Sequence, residues 1–322
     1  MMAPSRRHIL MSAALVGLAL GAAHAQDYPS RTVRLIVGFS PGAGADVTAR
    51  LLAPEMSKAL GQQVVVENRP GAGSNIAAEQ AVRAPKDGYT LFMGTVANVI
   101  NGAIKPLPFD FAKDLAPVVL AAEAPNILVV NPSVGVRTVP ELIALAKAKP
   151  GELTFGSAGV GTSPHVSGEL FNIMAGVRIL HVPYQGSAQA MTDLLGGRIS
   201  LMFSPASTAI PHIRAGTITA LASTTLKRPA IAPDLPTIDE AGLPGFETAV
   251  WFGLNAPAGT PRDIIEKLAH AANEALAAPE VASALQTQGI EPKGGTPEDY
   301  GRHIAGETKK WTAVARAAEL TK

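Results

Sequence analysis

Hydroxyls, amides and glycines, rather than acids, bases or thiols, form the chemically suggestive clusters of this sequence. Ser40-Pro41-Gly42-Ala43-Gly44-Ala45-Asp46 follows the apolar run Val33–Val37, and Gly94-Thr95-Val96-Ala97-Asn98 follows Thr90–Met93. Gly156-Ser157-Ala158-Gly159-Val160-Gly161-Thr162-Ser163 follows Leu153–Phe155. Pro183-Tyr184-Gln185-Gly186-Ser187 follows Ile179–Val182, and Ser204-Pro205-Ala206-Ser207 follows Ile199–Phe203. Glycine lets backbone approach a ligand, and a helix start aims free N–H groups at it. Ser163-Pro164 and Ser204-Pro205 each set a capping serine before a proline at the first helical position. The chemistry this suits is anion binding, above all of a carboxylate, because charge-assisted hydrogen bonds are roughly twice as strong as neutral ones. Apart from Asp46, no Lys, Arg, Asp or Glu stands in these clusters, so an anion would need no buried countercharge.

Other titratable groups have plainer readings. Asp46 is expected to satisfy N–H groups at a helix start. His165, on a first helical turn beside a glycine loop, could donate to a ligand or serve structure. His181 lies in a strand-like run and reads as core. No G-x-S-x-G, H-E-x-x-H, G-x-x-x-x-G-K or EF-hand loop occurs. The seven histidines show no metal spacing, and Asp46, Glu67, Asp87 and Asp110 lie near loops without pairing for acid/base work. Catalysis, a metal and a cofactor are therefore not expected. The rival is a dinucleotide site: Gly42-x-Gly44 follows a strand and opens a helix, and Glu67 ends the next strand, where a ribose-binding acid would stand. Val47 occupies the third glycine position of that fingerprint.

The elements that must position these clusters alternate. Further strand-like runs are Val64–Val66, Pro117–Ala121, Ile127–Val130, Ile218–Leu221 and Val250–Leu254. Helix patterns cover Ala45–Leu60, Ser74–Arg83, Val139–Ala148, Pro164–Met174, Ser187–Leu195 and Pro205–Ala215. That rhythm predicts α/β architecture with parallel sheets and crossover helices. Pro261–Ala277, Pro279–Gln288 and Pro297–Ala318 form a helical tail, each with Pro near its start. The expected division is a signal peptide over 1–25, a discontinuous first domain over 26–123 and 226–322, and a second domain over 124–225. A cleft would lie between the two.

The N-terminus predicts export. Arg6 and Arg7 precede the apolar run Ile9–Ala23, too short to span a membrane comfortably, and Ala23-His24-Ala25 is an A-x-A cleavage site before Gln26. Ser5-Arg6-Arg7-His8-Ile9-Leu10 also fits a twin-arginine signal. Losing Arg6 and Arg7 leaves 25 basic against 26 acidic residues, a net charge of −1, which offers no nucleic-acid footprint. Cysteine is absent, so neither a disulfide framework nor an acylated-cysteine anchor is expected. With aromatics at 5%, small residues and backbone should line any pocket.

At these same junctions the chain resembles the solute-binding proteins of tripartite tricarboxylate transporters, the TctC or Bug family. The resemblance covers essentially all of the mature chain. It is carried by Phe39 to Arg50, Val65-Val66-Glu67-Asn68-Arg69-Pro70-Gly71-Ala72-Gly73-Ser74-Asn75-Ile76, Asp87 to Leu91, Phe155 to His165, His181 to Gly186, Asp193 to Gly197 and Trp251 to Pro261. It implies a two-lobed periplasmic binding protein of type II-like fold that closes on a small carboxylate. One lobe would grip through Phe39, Pro41, Gly42, Ala43, Gly44, Thr95, Val96 and Asn98, with Asp46 structural behind them. The other would use Gly159, Gly161, Thr162, Ser163, His165, Tyr184, Gly186, Ser187 and Ser204. Many members carry aspartate where this chain has Ser204, which argues for a plain mono- or dicarboxylate over an amino acid. Ala43, where glycine is usual, narrows the first loop. The implied partners are the membrane subunits of such a transporter, with a monomer and no membrane anchor expected. Presentation of the ligand to a membrane sensor kinase, and an exported oxidoreductase, are the alternatives.

Overall fold

The computed structural model describes residues 28–320, so the expected signal peptide lies outside them. The first half contains β1 (Val33–Val37), α1 (Gly44–Leu60), β2 (Val64–Asn68), α2 (Asn75–Val82), β3 (Thr90–Thr95), α3 (Val96–Ile104) and α4 (Phe111–Asp114). A long strand follows, β4 (Leu115–Val130). The second half adds α5 (Val139–Ala148), β5 (Thr154–Ser157), α6 (Ser163–Ala175), β6 (Leu180–Pro183), α7 (Ser187–Leu195), β7 (Leu201–Pro205), α8 (Ala206–Arg214) and β8 (Thr219–Ser223). The chain then returns through β9 (Ala249–Pro257), α9 (Arg262–Ala277), α10 (Pro279–Thr287), β10 (Glu291–Pro292) and α11 (Pro297–Ala317).

The sheet is mixed, not parallel as the rhythm of elements predicts. Its order is β2-β1-β3-β9-β4-β7-β5-β6, with β8 and β10 also paired to β4. β1 is parallel to β2 and β3, and β5 is parallel to β6 and β7. β9 runs antiparallel to β3 and β4, and β4 antiparallel to β7 and β8. The segments expected as two strands, Pro117–Ala121 and Ile127–Val130, are one. Pro125 reads as a break because it lacks an N–H, but it stands opposite Ala249 where β4 leaves β9, and Asn126 begins the pairing with β7. A proline is tolerated where a ladder changes partner.

Alternation along the strands builds a core on each face. Val33, Leu35 and Val37 pack with Leu91 and Met93 under α1, α9 and α10. Ile36, Phe92 and Trp251 face the other way, against α2, α3 and α11. In the second half Leu128 and Val130 pack with Phe155 and Phe203 under α5 and α6, while Ile127 and Val129 lie under α7 and α8. Ile238, Leu243 and Phe246, beyond β8, also belong to the core under α5 and α6.

Candidate functional site

Strand direction decides where the predicted clusters meet. β3 runs in the same sense as β4, because each is antiparallel to β9. The carboxyl ends of β1, β2 and β3 therefore point along β4 toward the second half. β5, β6 and β7 run against β4 and point back. Thr95 at the end of β3 stands level, through Phe252, with Ala122, and Pro205 at the end of β7 pairs with Asn126. Both sets of loops thus open onto one short stretch of β4. All five predicted junctions lie at strand ends that face this stretch, the position where open α/β sheets bind ligands.

The two glycine loops are held alike. Gly42, at φ 84°, donates its N–H to Asp46 Oδ2 at 2.9 Å. Gly161, at φ 78°, donates its N–H to His165 Nδ1 at 3.2 Å. Each acceptor is the third residue of its helix, α1 or α6. Asp46 is buried and also accepts from Arg50 Nε at 2.9 Å and Asn68 Nδ2 at 2.8 Å, and Asn68 holds Phe39 O at 3.0 Å. Burial would raise the Asp46 pKa, but those hydrogen bonds outweigh it and hold the carboxyl below its usual range. The side chain therefore orders the loop, while Pro41 and Gly42 stay exposed and Ala43 and Gly44 half-buried. Phe39 packs against the first core.

Several predicted contacts are engaged within the protein. Thr95 Oγ1 accepts from Ala97 N, and Asn98 Oδ1 from Thr95 N at 3.0 Å, a capping box opening α3. Val96 points into the core, leaving only its backbone to face a ligand. Ser163 Oγ accepts from Asn126 Nδ2 at 2.6 Å, and Thr162 Oγ1 donates to Gly159 O at 2.6 Å. Tyr184 donates from its hydroxyl to Asp193 Oδ2 at 2.8 Å, and Ser204 Oγ to Pro205 O at 3.3 Å. Gly186 and Ser187 open α7. No side chain caps the starts of α1, α6, α7 or α8, so their first-turn N–H groups remain available as donors.

The histidines form a pair. The ring of His165 lies 4.1 Å from that of His181, and burial, with His181 adding to it, lowers the His165 pKa to about 3. His181 is half-buried rather than core; its Nε2 meets Ser157 Oγ at 2.6 Å, and burial lowers its pKa to about 4. Both are neutral near pH 7, which leaves His165 Nδ1 free to accept. Each of the four loop carboxylates pairs with a cation: Asp46 with Arg50, Glu67 with Arg34, Asp87 with Arg31 and Asp110 with Lys113. The Arg34–Glu67 pair is bidentate, 2.8 Å at both oxygens, which commits the acid that the dinucleotide reading needs for a ribose. Among the described residues no group of three or more His, Cys, Asp or Glu could hold a metal.

Sequence reasoning passed over four buried polar residues here: Ser74, Asn75, Asn101 and Asn126. Asn101 lies against Gly73 and, across from its own half, against Gly161, whose oxygen is 3.5 Å from Asn101 Nδ2. Asn126 sits within Ser163, Ser167 and Thr224. Asn101 and Asn126 signalled themselves only as asparagine beside apolar runs, while Ser74 and Asn75 close the Val65 to Ile76 segment of the resemblance, which assigned them no contact.

The model of the tripartite tricarboxylate transporter family receptor (TctC) matches residues 48–320. The chain belongs to this family. TctC proteins are solute-binding receptors, not enzymes, and this chain has their periplasmic-binding-protein fold. It is similar to protein BugT of Bordetella pertussis, 37% identical over 295 residues that cover 91% of this chain and 90% of that one. It is also similar to R. palustris Rpa4515, solved with adipate, at 40% identity and TM-score 0.83, covering 91% of this chain and 99% of that one. MatC (Rpa3494) from Rhodopseudomonas palustris, with bound malate, matches at 32% identity and TM-score 0.80, covering 89% of this chain and 100% of that one. No helix among the described residues is long and apolar enough to cross a membrane.

Proposed function

We propose that this TctC protein works in the periplasm, where it captures a small mono- or dicarboxylate between two lobes. It then delivers the acid to the membrane subunits of a tripartite tricarboxylate-type transporter. The observation behind this reading is that uncapped helix starts follow strand ends that face one another along β4, α1 after β1 from one side and α6, α7 and α8 after β5, β6 and β7 from the other. Four positive dipole ends and their free N–H groups favour an anion, and similar proteins are solved with adipate and malate. The lobes we assign are residues 28–123 with 249–320, and 124–248. The second crossing is set at Thr248 rather than at 225 because Ile238, Leu243 and Phe246 pack in the second lobe. The receptor acts as a monomer that closes on its ligand, a form a membrane partner can recognise.

A thermal-shift screen of C3–C8 carboxylates, amines, sugars and aromatics tests this. At 100 times Kd, a bound carboxylate should stabilise the fold by about 2.7 kcal/mol. A screen in which no carboxylate raises the melting temperature sinks the proposal.

A further inference from the structure

Two buried donors in the first lobe are used by none of the contacts above. Ser74 Oγ and Asn75 Nδ2 have no hydrogen-bond partner among the described residues, yet Ser74 is 0% and Asn75 6% exposed. Leaving such a group unpaired costs on the order of 1–3 kcal/mol, so a fold that keeps two side by side has a partner for them. Their place says which. They stand where the carboxyl end of β2 turns into α2, beside the end of β1, since Val37 is in register with Asn68. A Cβ on Gly38 would overlap the Ser74 hydroxyl, so that hydroxyl lies directly under the loop after β1. Asn75 Oδ1 accepts from Asn98 Nδ2 at 3.4 Å, which ties the residue to the start of α3 and leaves its NH2 group as the free end. Gly73, one residue earlier, packs on Asn101, and Asn101 touches Gly161 of the other lobe. The turn therefore lies in the wall of the cleft.

We propose that Ser74 Oγ–H and Asn75 Nδ2–H donate to a carboxylate oxygen of the bound acid, directly or through one ordered water. They would form a third contact of the first lobe beside the loop after β1 and the start of α3. The amide NH2 is a donor only, and together with the hydroxyl it fits an acceptor with two lone pairs. This rests on the carboxylate reading above.

The test uses Ser74→Gly and Asn75→Ala, titrated calorimetrically with adipate and with malate. Ser74 has φ 76°, a conformation glycine adopts without strain, so Ser74→Gly removes the hydroxyl while favouring the turn. The expected result is a dissociation constant raised about tenfold or more in each variant, with the ligand-free melting temperature of Ser74→Gly equal to or above that of the parent. A parent that responds to these acids and variants that bind within about threefold of it overturn this inference alone. A parent that responds to no carboxylate overturns the proposed function and this contact together.

Discussion

Asp46 and His165 do the same work in the two proposed lobes: each is a buried side chain that accepts the N–H of a left-handed glycine four residues earlier. The difference is charge. Asp46 is an anion balanced by Arg50, while His165 must stay neutral to accept. The consequence is a pH dependence with a definite sign. The folded pKa of His165 is depressed to about 3, against an ordinary histidine near 6.5, and that of His181 to about 4. Below the ordinary value the unfolded chain binds more protons. Their contribution to stability is thus full above pH 6.5 and declines as pH falls toward the folded values. Calorimetric melting between pH 7 and pH 4 should show the melting temperature dropping. His165→Asn should flatten that drop, and an equally steep variant would refute the assignment. At pH 7, His165→Ala leaves the Gly161 N–H unpaired and should cost about 1–3 kcal/mol. The Gly-x-Gly and Asp46 signals were readable because helix-start chemistry is local. The role of His181 was not, because its neighbours Ser157 and His165 arrive from other elements.

At the scale of elements, α11 shows how the helical tail packs onto the first of the two proposed lobes. A capping box of Thr296 and Asp299 opens it. Tyr300, Ile304 and Trp311 bury one face against the sheet. Trp311 Nε1 and Trp251 Nε1 both donate to Glu307 Oε2, at 2.8 and 3.1 Å. Tyr300 OH donates to Asn255 Oδ1 at 3.1 Å, over Gly253, where a Cβ would strike the ring. Trp311→Ala should cost about 3–5 kcal/mol, read as a lower denaturant midpoint with little change in slope. A loss below about 1 kcal/mol would mean the helix is not integral to that lobe. The sequence pattern placed α11 within one residue, since Pro297 and the apolar spacing mark it. It gave no helix over Val96–Ile104, where the β-branched Val96, Val99 and Ile100 have weak helix propensity. The capping box of Thr95 and Asn98, not propensity, starts that helix.

At the scale of the molecule, β4 is shared. Its first part pairs with β9 and its last five residues with β7 and β8. At the change of partner, Asn126, Ser163, Ser167, Thr224 and Thr248 are linked by hydrogen bonds, including Ser167 Oγ to Thr248 Oγ1 at 2.7 Å and Thr224 Oγ1 to Thr248 O at 2.7 Å. On the proposed division, both crossings of the chain lie at or beside this cluster. Lobe movement about it should appear in small-angle X-ray scattering as a smaller radius of gyration once adipate or malate is bound. An unchanged scattering curve at saturating ligand would show that capture occurs without closure.

The sequence by itself determined most of the helices and strand positions, the clustering of glycines, hydroxyls and amides at the five junctions, and the family resemblance that the receptor model and similar structures uphold. All of these rest on short-range physics: period, caps, turns and the absence of reactive side chains. Only the tertiary structure decided that β4 is continuous and that β9 enters the sheet antiparallel. From those two facts follows the opposition of the two sets of strand ends. Tertiary structure also decided that Ser74, Asn75, Asn101 and Asn126 are buried beside these strand ends, because the surroundings of a polar side chain are set by what packs around it.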